Sequence, residues 1–168
     1  MSQSNQHRIF RPDNLLNIKA RRSDMSVAEM MAKSHQVMAD IAKDYPQWLR
    51  SDLKALVTAN KKLRAEPHNG AGKPDLFRIA HDIRGQAPGF GYALAGDISA
   101  SLCQYLERTE RFEAAELHIV GAHIKAIRAC VLQSLKGDGG ATGQELMAEL
   151  TALIQRNARP KTASSKRQ

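Results

Sequence analysis

Cysteine is scarce in this chain: only Cys103 and Cys130 occur among 168 residues. They fall on separate predicted helices, so no disulfide framework is expected. With no signal-peptide apolar region at the amino terminus, they read as idle thiols of a reducing, cytoplasmic compartment. A chain of this length buries a single core without such staples. Long apolar runs are missing too. None approaches the roughly 18 residues of a membrane span, so no membrane-embedded segment is expected. No strand-like alternation and no internal repeat is evident. The glycine-rich stretch 137–143 lacks the lysine and Ser/Thr of a phosphate loop and follows no strand, so no nucleotide site is expected. His118 and His123 stand five apart on one predicted helix, where metal-ligand pairs prefer a spacing of about four. No acidic or cysteine partner completes a set, and neither a metal nor a cofactor is expected in this chain.

What is abundant is positive charge, +8 overall. Its placement limits what it implies. Residues 1–22 hold five Lys/Arg against one Asp, and residues 156–168 hold five Lys/Arg and no acid. The remaining 15 basic and 16 acidic residues leave the middle close to neutral. Residues 1–24 therefore read as a flexible basic arm and residues 158–168 as a disordered basic tail. Such arms attract polyanions without sequence specificity, and no specific nucleic-acid partner is expected. The apolar cluster Leu15, Leu16 and Ile18 offers part of the arm a means of docking on the body.

Residues 25–157 read as one all-α domain of about six helices joined by short links. Four of them are expected to form an antiparallel bundle core, with additional N- and C-terminal helices. The first helix starts at a Ser26–Glu29 capping box, runs to about residue 43 and turns Val27, Met30, Met31, Val37, Met38 and Ile41 inward. The second begins at Pro46, a favoured first helical position, and reaches about residue 65, with Trp48 packed between helices. The third spans about 74–95, Gly96 and Asp97 end it and cap the fourth, which runs to about 108, and the fifth covers roughly 112–136. Gly137 stops the fifth, and a Thr142–Glu145 capping box opens the sixth, to about 156.

The third helix carries the feature around which the rest is organised. At about 100° per residue, Leu76, Ile79, Ala80, Ile83, Ala87, Phe90 and Leu94 lie within roughly 40° of one line, as a core-facing stripe does. His81 lies about 140° from that line, with Phe77, Pro88 and Tyr92 on its face. Gly85 sits one turn above it. Glycine and proline are both costly inside a helix. One account is that Gly85 leaves the imidazole unshielded, so that a bulky group or a partner protein reaches the ring nitrogen. The other is that Gly85, Gly89 and Gly91 mark a loop beyond a helix that stops near Arg84, with His81 an ordinary surface histidine.

The residues His81, Ile83, Arg84, Gly85 and Gly91 resemble the signature of histidine phosphotransfer domains: histidine, any residue, an aliphatic, lysine or arginine, glycine, and a second glycine six positions on. The likeness extends through Leu94 and Leu102 to the apolar-acidic pair Leu106-Glu107. Arg84 stands where lysine is commoner, and Pro88 is unusual in that helix. The resemblance implies a phosphorelay intermediate. His81 would accept a phosphoryl group from a receiver-domain aspartate, Arg84 would orient the phosphoryl oxygens, and the group would pass to another response regulator. Phe77, Arg78, Gly85, Pro88 and Tyr92 would form the docking surface. The partners would be receiver domains and a hybrid sensor histidine kinase, with Mg2+ supplied by the receiver. The chain itself would be a monomeric phosphoryl carrier rather than an autonomous enzyme.

Two other readings stay open. A helical adaptor would bind a receiver or another protein through Phe77, Pro88 and Tyr92 without carrying phosphate. A remnant of a histidine-kinase dimerisation domain is suggested by His81-Asp82-Ile83-Arg84. That motif has proline five positions after the histidine, whereas Pro88 is seven after, and only 87 residues follow His81.

Overall fold

The computed structural model describes residues 25–157, and among them every regular element is helical. Five α-helices follow one another: α1 (Val27–Ala65), α2 (Lys73–Gln86), α3 (Ala93–Arg108), α4 (Ala114–Leu132) and α5 (Gly140–Arg156). A single 3-10 turn, Ala87–Phe90, separates α2 from α3. None of these helices is long and apolar enough to cross a membrane. The basic arm and tail expected at 1–24 and 158–168 lie outside the described residues.

The chain divides into two units after Ile41. In the first, α1 opens on the expected capping box. The Ser26 amide donates to Glu29 Oε2 at 2.7 Å and the Glu29 amide to Ser26 Oγ at 3.2 Å. The expectation that Val27, Met30, Met31, Val37 and Met38 fill a core is not met, because all five are exposed. Periodicity marks an apolar stripe but does not supply its partner.

A break between two helices near residue 45 is likewise corrected, since α1 continues through Pro46. A proline inside a helix costs about 3 kcal/mol. Burying the large side chains of Tyr45 and Leu49, which flank it, offsets that cost. Trp48, expected between helices, is 48% exposed.

In the second unit one core gathers Tyr45, Leu49, Leu56 and Leu63 of α1, Leu76 and Ile83 of α2, Leu94, Ile98 and Leu102 of α3, and Val120, Ile127 and Cys130 of α4. Neighbouring helices run antiparallel. Tyr45 stacks on Phe90 with centroids 4.2 Å apart, while Lys62 at the far end of α1 meets Asp75 at 3.6 Å. Lys73 Nζ donates to the Thr109 carbonyl at 2.8 Å across the far end of α2 and α3. Ser101 meets His123 at 3.0 Å between α3 and α4, and Arg64 Nη2 donates to the Leu117 carbonyl at 3.0 Å between α1 and α4. Leu150 of α5 completes the core.

The third predicted helix ends at Gln86 rather than near 95. Pro88 has no N–H to give the Arg84 carbonyl, so the α-helical ladder stops and the chain tightens into the 3-10 turn. Gly91 at φ 82° then reverses the chain, with the Tyr92 amide donating to the Ala87 carbonyl at 2.9 Å. Gly96 and Asp97 therefore lie inside α3 instead of capping it. A Cβ on Gly96 would sit 2.8 Å from Pro88 Cγ, so the missing side chain is what lets the turn seat on α3. The fourth helix ends at Arg108 as expected. The fifth starts later, at a Glu113–Glu116 capping box, and stops at Leu132, before Ser134 at φ 51°. α5 is capped by Gly139 and not by Thr142, with Asp138 Oδ1 accepting the Gly140 amide at 2.9 Å.

Candidate functional site

α2 buries Leu76, Ile79, Ala80 and Ile83 and turns His81 to solvent near its middle. The division follows from the helical period alone. Phe77, one turn before His81, is half-buried, and its ring lies 6.1 Å from the imidazole at an interplanar angle of 25°. This contact gives the imidazole an apolar neighbour on one side. On the other side Gly85 presents bare backbone: a Cβ there would meet nothing within 4 Å. One edge of the imidazole is thus braced and the other is open.

Charge is distributed unevenly around this face. Arg78 reaches Asp82 at 3.5 Å, an exposed pair worth little stability. Arg84 is exposed toward α3, where its charge acts on Cys103, whose thiol burial pushes up. From α1, Asp52 approaches the same pair. Its carboxyl is raised by burial first and by Asp82 second, with Arg78 opposing. Tyr45, deeper on the same helix, is pushed up to about 12 by burial, then by Asp52 and Tyr92.

Of the expected docking residues, Phe77, Arg78 and Gly85 share the His81 face of α2, while Pro88 is exposed in the 3-10 turn beyond it, with one side of its ring toward Gly96 of α3. Tyr92 does not share that face, because it is only 3% exposed. It follows the reversal at Gly91 and turns inward, 6.0 Å from the Tyr45 ring and beneath Lys136 Nζ at 3.6 Å from its centroid. The helical period that put Tyr92 beside His81 no longer applies once the 3-10 turn intervenes. Trp48 shows the reverse error. The buried stripe Tyr45, Leu49, Leu53, Leu56 and Leu63 passes it by, a signal legible in the spacing of those residues.

His123, set aside as a metal ligand, proves to be a core histidine. Its Nδ1 lies 2.8 Å from the Ile119 carbonyl and its Nε2 3.0 Å from Ser101 Oγ, and burial lowers its pKa below the usual value. Among the described residues no group of three His, Cys, Asp or Glu is placed to hold a metal ion. Comparison of the chain with protein-family models, with curated proteins and with solved structures returned no match.

Chemically, the face offers an accessible imidazole, two exposed guanidinium groups within a turn of it, and open backbone beside the ring. An imidazole keeps a ring-nitrogen lone pair available at neutral pH, which suits nucleophilic attack on phosphorus. Guanidinium groups suit phosphoryl oxygens.

Proposed function

We propose that this chain is a phosphorelay intermediate. His81 takes a phosphoryl group from an aspartyl phosphate on a receiver domain and yields it to a second receiver. The observation that carries the reading is the exposed imidazole at mid-helix with bare backbone one turn away at Gly85. In the forward step a His81 ring nitrogen attacks phosphorus, the N–P bond forms as the P–O bond to the aspartate breaks, and the carboxylate leaves on the partner. The reverse step delivers the group to the next aspartate. Arg84 holds the phosphoryl oxygens by charge-assisted hydrogen bonds, while Phe77, Arg78, Gly85 and Pro88 meet the receiver. The divalent cation of the reaction belongs to the receiver, and this chain acts as a carrier without an ATP site of its own.

The same reading takes α1 from residue 42, with α2, α3 and α4, as an antiparallel four-helix core that presents α2. Its support is the antiparallel pairing of α1 with α2, α2 with α3, α3 with α4 and α4 with α1. A four-helix core holds one helix face rigid, which a protein-protein phosphoryl transfer needs for alignment.

The test is transfer from radiolabelled phospho-receivers to the purified protein. The expected product carries acid-labile, base-stable phosphate and is lost in His81→Gln. Label that survives His81→Gln overturns the assignment. Binding without label from every receiver favours the adaptor reading instead.

A further inference from the structure

Resting on that reading, we infer that Trp48 is the apolar anchor by which the His81 face grips its receiver domain. Trp48 is the sole tryptophan and is 48% exposed on a helix whose other large side chains near it, Tyr45 and Leu49, are buried. Its position along α1 is bracketed by contacts to α2 and to the 3-10 turn that follows it. Three residues before it, Tyr45 stacks on Phe90, and four residues after it, Asp52 lies within electrostatic reach of Arg78 and Asp82. Lys62 meets Asp75 further on, so the two helices run past each other in a steady antiparallel register. That register sets Trp48 level with residues 86–88, where α2 ends and the 3-10 turn begins. About six residues, the last at the start of the 3-10 turn, or about 9 Å, then separate its level from that of His81.

The side of α1 it occupies is fixed as well. Trp48 lies about 40° from Asp52 around α1 and about 100° from Leu49, so it sits on the edge nearest α2 and away from the core. The face is therefore divided. Around His81 it carries Arg78, Arg84 and Asp82, a charged half suited to the phosphoryl group and the acidic pocket it comes from. Beyond Gly85 it carries Pro88, Gly89 and Trp48, whose indole leaves about 100 Å² of surface free to be covered between Asp44 and Asp52, one turn to either side of it on α1. A partner aligned on the phosphoryl group at His81 meets that indole in the same encounter. Tryptophan is among the residues that dominate binding energy when a partner buries it.

Phosphoramidate and a tryptophan-free receiver domain that transfers to the wild-type protein separate the outcomes. Phosphoramidate donates its phosphoryl group to a histidine nitrogen with ammonia leaving, and needs no docking surface. Trp48→Ala should take label from phosphoramidate at the wild-type rate. With the phospho-receiver its half-saturating concentration should rise about tenfold or more, with the rate at saturation little changed and Trp48→Phe restoring most of the affinity. On the wild-type protein, adding the receiver should shift Trp48 emission to the blue, a readout that holds even where the alanine variant is unstable. Labelling of His81 with no change in half-saturation and no emission shift overturns the anchor alone. Failure of His81 to accept phosphate from either donor overturns the phosphotransfer reading, and the anchor with it.

Discussion

Gly96→Ala tests whether the seat of the 3-10 turn on α3 is as tight as its geometry implies. The added Cβ would lie 2.8 Å from Pro88 Cγ, 3.0 Å from Pro88 Cδ and 3.6 Å from the Arg84 carbonyl oxygen. Carbon atoms pack best about 3.5–4.0 Å apart, so the turn or the helix must give by several tenths of an ångström. The turn has little freedom to do so. Its first residue, Ala87, is fully buried, and its end is held by the Gly91 and Tyr92 amides donating to the Pro88 and Ala87 carbonyls. Overpacking of this kind costs about 1–3 kcal/mol, and replacing a helical glycine by alanine returns at most about 1 kcal/mol. A net loss of about 1 kcal/mol or more is expected, lowering Tm by about 2–4 °C per kcal/mol for a chain of this size. Thermal and urea unfolding followed by circular dichroism measure it. Gly89→Ala is the control: nothing lies within 4 Å of its Cβ position, so it should lose nothing. A Gly96→Ala protein as stable as wild type, or no worse than Gly89→Ala, refutes the argument.

Gly85→Leu separates function from folding, because its side chain enters open space on an exposed helical position. Stability should hold or rise by up to about 1 kcal/mol while acceptance from a phospho-receiver falls, which paired melting and transfer assays compare. Arg84→Ala should slow transfer more than Arg84→Lys, since lysine keeps the charge and loses only the planar fork. His123 gives a pH dependence. Burial depresses its folded-state pKa below the 6.5 of an unfolded histidine, so its contribution is intact above that value and is lost as pH falls through it. Melting scans from neutral to mildly acidic pH should show this fall, and His123→Gln, which does not titrate, should flatten it. Leu56→Ala, at a fully buried position, should cost about 2–5 kcal/mol in denaturant unfolding.

Much of this architecture is local and was legible in the residues themselves. The Ser26–Glu29 box, the end of α3 at Arg108, the stripe of α2 and the outward placing of His81 depend on spacing and on hydrogen bonds within a few residues. The helical period carries that information without reference to the rest of the chain. The breaks that went wrong are those where local preference meets a tertiary demand. Pro46 looked like a helix start, yet burial of Tyr45 and Leu49 on either side carries α1 through it. Gly96 looked like a stop, but its role is to admit Pro88 from another element, which no window of sequence contains.

The same division runs through the candidate site. Sequence by itself determined that an imidazole, a guanidinium and a bare glycine share one exposed helix face, because all three belong to α2. Which aromatic ring borders that face depends on how the elements after Gln86 turn and on which edge of α1 lies against α2. Tyr92 and Trp48 accordingly exchange their expected places, one assigned by periodicity and the other by the size of its ring: Tyr92 is buried under Lys136 and Trp48 is exposed. Burial of an aromatic is a property of its neighbours, and those neighbours come from other helices. Only the tertiary structure decides it.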